Sequence, residues 1–127
     1  DRAVGTTFDH AVAAFIEDIE ARGLQDDILL ICSGEMGRTP RINKRGGRDH
    51  WGRLSPLLLY GGGIEGGRVI GQSTRDGGQP TSDALGPRHL ISSILHTVFD
   101  VAELRLVPSV PTQINRLTEH ATIPGMS

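Results

Sequence analysis

Residues 28–60 read Ile-Leu-Leu-Ile-Cys-Ser-Gly-Glu-Met-Gly-Arg-Thr-Pro-Arg-Ile-Asn-Lys-Arg-Gly-Gly-Arg-Asp-His-Trp-Gly-Arg-Leu-Ser-Pro-Leu-Leu-Leu-Tyr. The stretch opens on an apolar run, Ile28 to Cys32, and closes on another, Pro56 to Tyr60. Apolar residues that run on without alternation suit a strand covered on both faces, as in a parallel sheet. Strands are expected at 28–33 and 55–60, within an α/β fold. A long loop between two core strands is uncommon unless it is functional or disordered. This one, 34–53, carries Glu35, Asp49, His50 and the cations Arg38, Arg41, Lys44, Arg45, Arg48 and Arg53. The carboxyl end of a parallel strand is where α/β folds place ligands. The loop therefore points to a polar site for an anionic ligand, with room for a metal.

The flanks support this frame. Phe8, Val12, Phe15, Ile16 and Ile19 recur at helical spacing, predicting a helix over 4–22 that stops at Gly23. Gly61-Gly62-Gly63 reads as a turn, 68–71 as a short strand and 72–82 as an irregular polar loop. Pro87 suits the first turn of a second helix running to Phe99. Beyond Asp100 the chain holds Pro108, Pro111 and Pro124 with little periodicity, which predicts an extended tail. Two or three strands make a small sheet for a parallel architecture, so a portion of a longer protein is expected.

At 127 residues the chain fits one domain, 1–127. A formal net charge of −2 gives no general drive toward nucleic acid or anionic membrane. No apolar run approaches membrane-spanning length. The single cysteine, Cys32, excludes an internal disulfide and reads as a buried, inert thiol.

Within the loop, carboxylate and imidazole are donors for Zn²⁺, and carboxylate oxygens for Mg²⁺ or Ca²⁺. Guanidinium groups suit phosphate or sulfate oxygens. Plainer readings stand beside these. An Asp-His pair is commonly a hydrogen-bonded structural couple, and a cation-rich loop is commonly a solvated surface. Trp51 suits a core anchor for the loop. His89 and His96 share a helix face but are too far apart for a tight ligand pair.

Ser33-Gly-Glu-Met-Gly-Arg-Thr-Pro-Arg-Ile-Asn43, followed by Gly47-Arg-Asp-His-Trp51 and an apolar strand, resembles a bacterial sulfatase-like family. That family is a domain of unknown function in the alkaline-phosphatase-like superfamily, whose members typically carry Gly-Glu-Phe-Gly-Arg-Thr-Pro. The resemblance implies a three-layer α/β/α sandwich with a mainly parallel sheet, of which this chain is the C-terminal part. It also implies sulfate or phosphate ester hydrolysis in the full-length protein. Glu35 and His50 match positions of metal ligands, and Asp49 is a further ligand or a partner orienting His50. The implied cofactor is a divalent ion (Zn, Ca or Mg). Arg38, Arg41 and Arg48 are the implied substrate-binding cations. Met36 occupies the place where well-studied relatives in the wider superfamily have a histidine ligand, and a thioether is a poor donor for these ions. Nucleophile and further ligands are implied to come from an N-terminal part of the same protein. The implied partner is an anionic small-molecule or polysaccharide ester, and the implied setting extracytoplasmic, periplasmic or secreted. The competing expectation is a degenerate, non-catalytic domain that binds sulfated or phosphorylated ligands through its basic loop.

Overall fold

A computed structural model describes residues 2–126. In chain order it contains α1 (Arg2–Ala21), β1 (Leu29–Ser33), β2 (Gly37–Arg38), β3 (His50–Trp51), β4 (Leu57–Gly61), α2 (Pro87–Val98), α3 (Val101–Leu106) and α4 (Thr112–Leu117). The first helix, both main strands and the second helix fall where the hydrophobic pattern predicts them.

The direction of the second strand does not. β1 and β4 pair antiparallel, from Leu29 opposite Gly61 to Ser33 opposite Leu57. The expected three-layer α/β/α sandwich with a mainly parallel sheet is overturned: the described residues form four helices and two separate two-stranded antiparallel sheets. The physical reason lies in the connection. A parallel pair needs a crossover, usually a helix, that carries the chain back to the starting edge. Loop 34–56 contains no helix. It doubles back on itself as the β2–β3 ribbon and re-enters beside β1 in the opposite sense. The continuous apolar runs meet a neighbour on each face, although no residue of either strand is fully buried. Successive strand residues point to opposite sides. Tyr60 on one side donates its hydroxyl proton to Glu20 of α1, an interaction that holds the phenol above its ordinary pKa. Leu57 and Leu59 on the other share a groove with Leu90 of α2. Runs of this kind are silent about strand direction.

Gly61 closes the sheet at a φ of 80°, and a Cβ there would overlap the Ile28 carbonyl oxygen. Segment 68–71 is not a strand: it is an exposed strap on which Val69 is 95% accessible. The tail is not extended either. Asp100 caps α3 by accepting from the amides of Ala102 (2.9 Å) and Glu103 (3.1 Å). Pro111 sits at the N-cap of α4, so there it starts a helix instead of breaking one. Helices of six residues are shorter than the window over which periodicity is legible.

The tail is held by hydroxyl groups. Ser92 and Ser93 are fully buried on α2. Ser92 donates to the His120 carbonyl at 2.7 Å. Ser93 donates to the His89 carbonyl at 2.8 Å and accepts from the Ile123 amide at 2.7 Å. Ile19, Val101, Ile123 and Met126 are the buried apolar side chains among the described residues. The accessible surface is 9592 Å², whereas a folded monomer of this length exposes roughly 6,600 Å². The chain's own core is thin, so each buried polar contact counts. Ser93→Ala leaves the buried Ile123 amide without an acceptor, and urea denaturation should register a loss of about 1–3 kcal/mol.

Candidate functional site

β2 and β3 bring the two ends of the polar loop together. Gly37 lies opposite Trp51 and Arg38 opposite His50. This approach requires glycine: a Cβ on Gly37 would overlap the Leu54 carbonyl oxygen. Residues directly opposite in an antiparallel pair share a face, so Arg38 and His50 project together. Glu35, two residues beyond β1, reaches the same place, with its Oε1 3.4 Å from His50 Nε2. Both side chains are exposed, at 69% and 56%. An exposed pair of this kind adds little to stability. Glu35 also lines a groove of about 740 Å³ floored by Leu57, Leu59, Leu90 and Ile123.

The remaining predicted residues separate into other roles. Asp49 precedes His50 and so faces the other side of the ribbon. Its carboxylate accepts from Asn43 Nδ2 at 2.8 Å. Its backbone completes the ribbon: the Thr39 amide donates to the Asp49 carbonyl (2.9 Å), and the Asp49 amide donates to Thr39 Oγ1 (3.1 Å). Arg48 turns its Nη1 onto the carbonyls of Thr39 and Pro40, stapling the loop from within. Arg41 lies toward Asp76, adding a small electrostatic pull on its carboxylate. Trp51 is half-buried and donates Nε1–H to the Gly78 carbonyl at 2.9 Å, while Arg53 lies 6.0 Å from its ring centre and bonds Gln79 at 3.0 Å. Loop 73–80 thereby braces the ribbon. Within it the Thr74 hydroxyl, followed by the Gly78 amide, holds the Asp76 carboxyl below its ordinary range.

Sequence reasoning passed over Asn43. Its Oδ1 accepts from the amides of Arg45 (2.9 Å) and Gly47 (3.1 Å), the side-chain turn that Asn favours. The Asn-x-x-Gly spacing was its only signal.

Among the described residues no group of three or more His, Cys, Asp or Glu side chains is placed to hold a metal ion. Glu35 and His50 supply two donors, fewer than the three or four protein ligands of a zinc site or the six or more oxygens around calcium. On their own, these residues do not make a complete site for Zn, Ca or Mg. No helix among them is long and apolar enough to cross a membrane.

A family model described as "Protein of unknown function (DUF1501)" matches residues 1–121, and the chain belongs to that family, a bacterial domain of unknown function. No curated protein and no solved structure matches it.

Two outcomes follow from this geometry. Gly37→Ala should push β2 away from Leu54 and accelerate hydrogen exchange at the Thr39 and Asp49 amides, with exchange around Ser93 unchanged. Because the folded-state pKa of Asp76 is depressed, its bracing contribution is full above the ordinary carboxylate value and disappears as pH falls through the lower, folded value. Amide exchange at Gly78 and Gln79 should rise over that acidic window, and Asp76→Asn should remove the pH dependence.

Proposed function

We propose that the chain is the C-terminal part of a sulfatase- or phosphatase-like hydrolase of the alkaline-phosphatase-like superfamily, working on sulfate or phosphate esters together with an N-terminal part of the same protein. The observation that carries this reading is the 3.4 Å approach of Glu35 to His50. A carboxylate and an imidazole, distant in sequence, are held side by side by a ribbon whose loop bonds are internally satisfied, and their solvent exposure gives folding little reason to place them so. Arg38, opposite His50 on the same face, makes no side-chain hydrogen bond or ion pair among the described residues, leaving its guanidinium available to an anionic ester. The excess surface and thin core support a further polypeptide against this one. The resemblance of residues 33–51 to a sulfatase-like family supports the chemistry, Met36 weighs against it as a poor donor at a ligand position, and the extracytoplasmic setting rests on the same resemblance.

In this reading Glu35 and His50 furnish two donors toward a divalent ion, and the others come from outside these residues. Such an ion, when bound, polarises an ester oxygen. What this chain's own residues do is narrower. His50 and Glu35 fix one side of the pocket, Arg38 neutralises charge on the ester, and Arg48 and Asp49 hold the loop that presents them.

The second reading is a non-catalytic domain that binds sulfated or phosphorylated ligands through the basic loop. The lack of a third donor among the described residues favours it, as does the position of Lys44 and Arg45 at the exposed loop tip. The two readings part on metal. In the full-length protein, His50→Ala should abolish bound divalent metal by elemental analysis, and Arg38→Ala should lower kcat/KM toward an aryl sulfate or phosphate roughly 100-fold. Undiminished metal in the His50 variant rejects the hydrolase reading. Anion binding that needs no cation and weakens steeply with salt supports the second.

A further inference from the structure

We propose that Asn43 is a positioning residue for the Glu35–His50 pair and acts through the Asp49 carboxylate; the assignment rests on reading that pair as the functional one. Among the described residues, Asn43 is the side chain that bonds both the tip and the base of the polar loop. Its amide oxygen gathers the Arg45 and Gly47 amides. Its backbone N–H donates to the Gly47 carbonyl at 2.7 Å. Its Nδ2 bonds Asp49 Oδ1 at 2.8 Å. Asp49 is joined to Thr39 through its backbone in both directions. Holding the Asp49 carboxylate therefore fixes the rotation of the ribbon at the residue immediately before His50. Neighbouring strand residues face opposite ways, so a pull on Asp49 from one side sets how the imidazole is presented on the other. An amide side chain supplies, on two separate atoms, an acceptor for the tip and a donor for the carboxylate.

A residue that merely closed the turn would need the acceptor alone. This separates the two roles experimentally. Asn43→Asp keeps the acceptor for Arg45 and Gly47, removes the donor, and sets a second carboxylate against Asp49. The measurement, on the full-length protein, is the change in the His50 ring resonances caused by Glu35→Gln, recorded by NMR in different backgrounds. The response should be clear in the parent protein, lost in Asn43→Asp, and restored in the exchanged pair Asn43→Asp with Asp49→Asn, where an amide again faces a carboxylate. A response that persists in Asn43→Asp overturns the proposal, and so does failure of the exchanged pair to restore it. A titration with Zn²⁺ alone, followed at the same ring, judges the metal reading separately. Silence there removes the metal role and leaves the Asn43 assignment to be decided by the Glu35→Gln response.

Discussion

The antiparallel ladder between β1 and β4 is the constraint on which the rest of the molecule depends. Its last pair, Ser33 opposite Leu57, pins both ends of loop 34–56 at one end of the sheet. With its ends fixed there, the loop can fold back as a second ribbon, and Glu35 at its start meets His50 near its close. Had the two strands run parallel, the intervening chain would have been consumed in a crossover, and these side chains would have left opposite ends of the sheet. The antiparallel turnabout that displaces the expected architecture is thus also what brings the expected pair together.

Two regions of the molecule rely on different forces. The sheet and its helices depend on apolar contact, yet few of those side chains are fully buried: Phe8, Phe15, Leu57 and Leu58 all remain more than a third exposed. Exposed apolar surface spread over a helix and a sheet marks an interaction site or a fold that relies on a neighbour. The C-terminal segment depends instead on directed hydrogen bonds, from Ser92 and Ser93 and through Thr118. Arg105 donates to the Thr118 hydroxyl at 2.9 Å, and His96 lies 3.1 Å from the Thr118 carbonyl. Such bonds specify one arrangement strongly while contributing modestly to net stability.

Much of this was legible in the sequence, for identifiable reasons. The 3.6-residue recurrence of Phe8, Val12, Phe15 and Ile19 and the stripe through Leu90 and Leu95 mark the two long helices, because amphipathic burial leaves that period. The strands declare themselves by continuous apolar residues. Their pairing direction does not, because it is decided by the path of the connection and not by the composition of the strands. The short β2–β3 ribbon and the six-residue helices α3 and α4 lie below the length at which any period can show. At the site, the resemblance, not the residue types alone, implied that Glu35 and His50 belong together. Which face Asp49 takes depends on a one-residue alternation within a ribbon that the sequence does not announce. The diversion of Arg48 into the loop's interior depends on carbonyl positions that only coordinates supply.

The hydrogen bonds of segment 39–49 close upon themselves: Thr39 with Asp49, Asn43 with Gly47, Arg48 with the carbonyls of Thr39 and Pro40. At the crest the backbone belongs to that circuit, with the Arg45 and Gly46 amides donating to Asn43, while the side chains of Lys44 and Arg45 stand exposed outside it. A change of side chain at Lys44 or Arg45 therefore leaves the circuit's bonds in place, and these two positions form a natural port for a side-chain label, whereas an inserted residue would break the closure through Asn43.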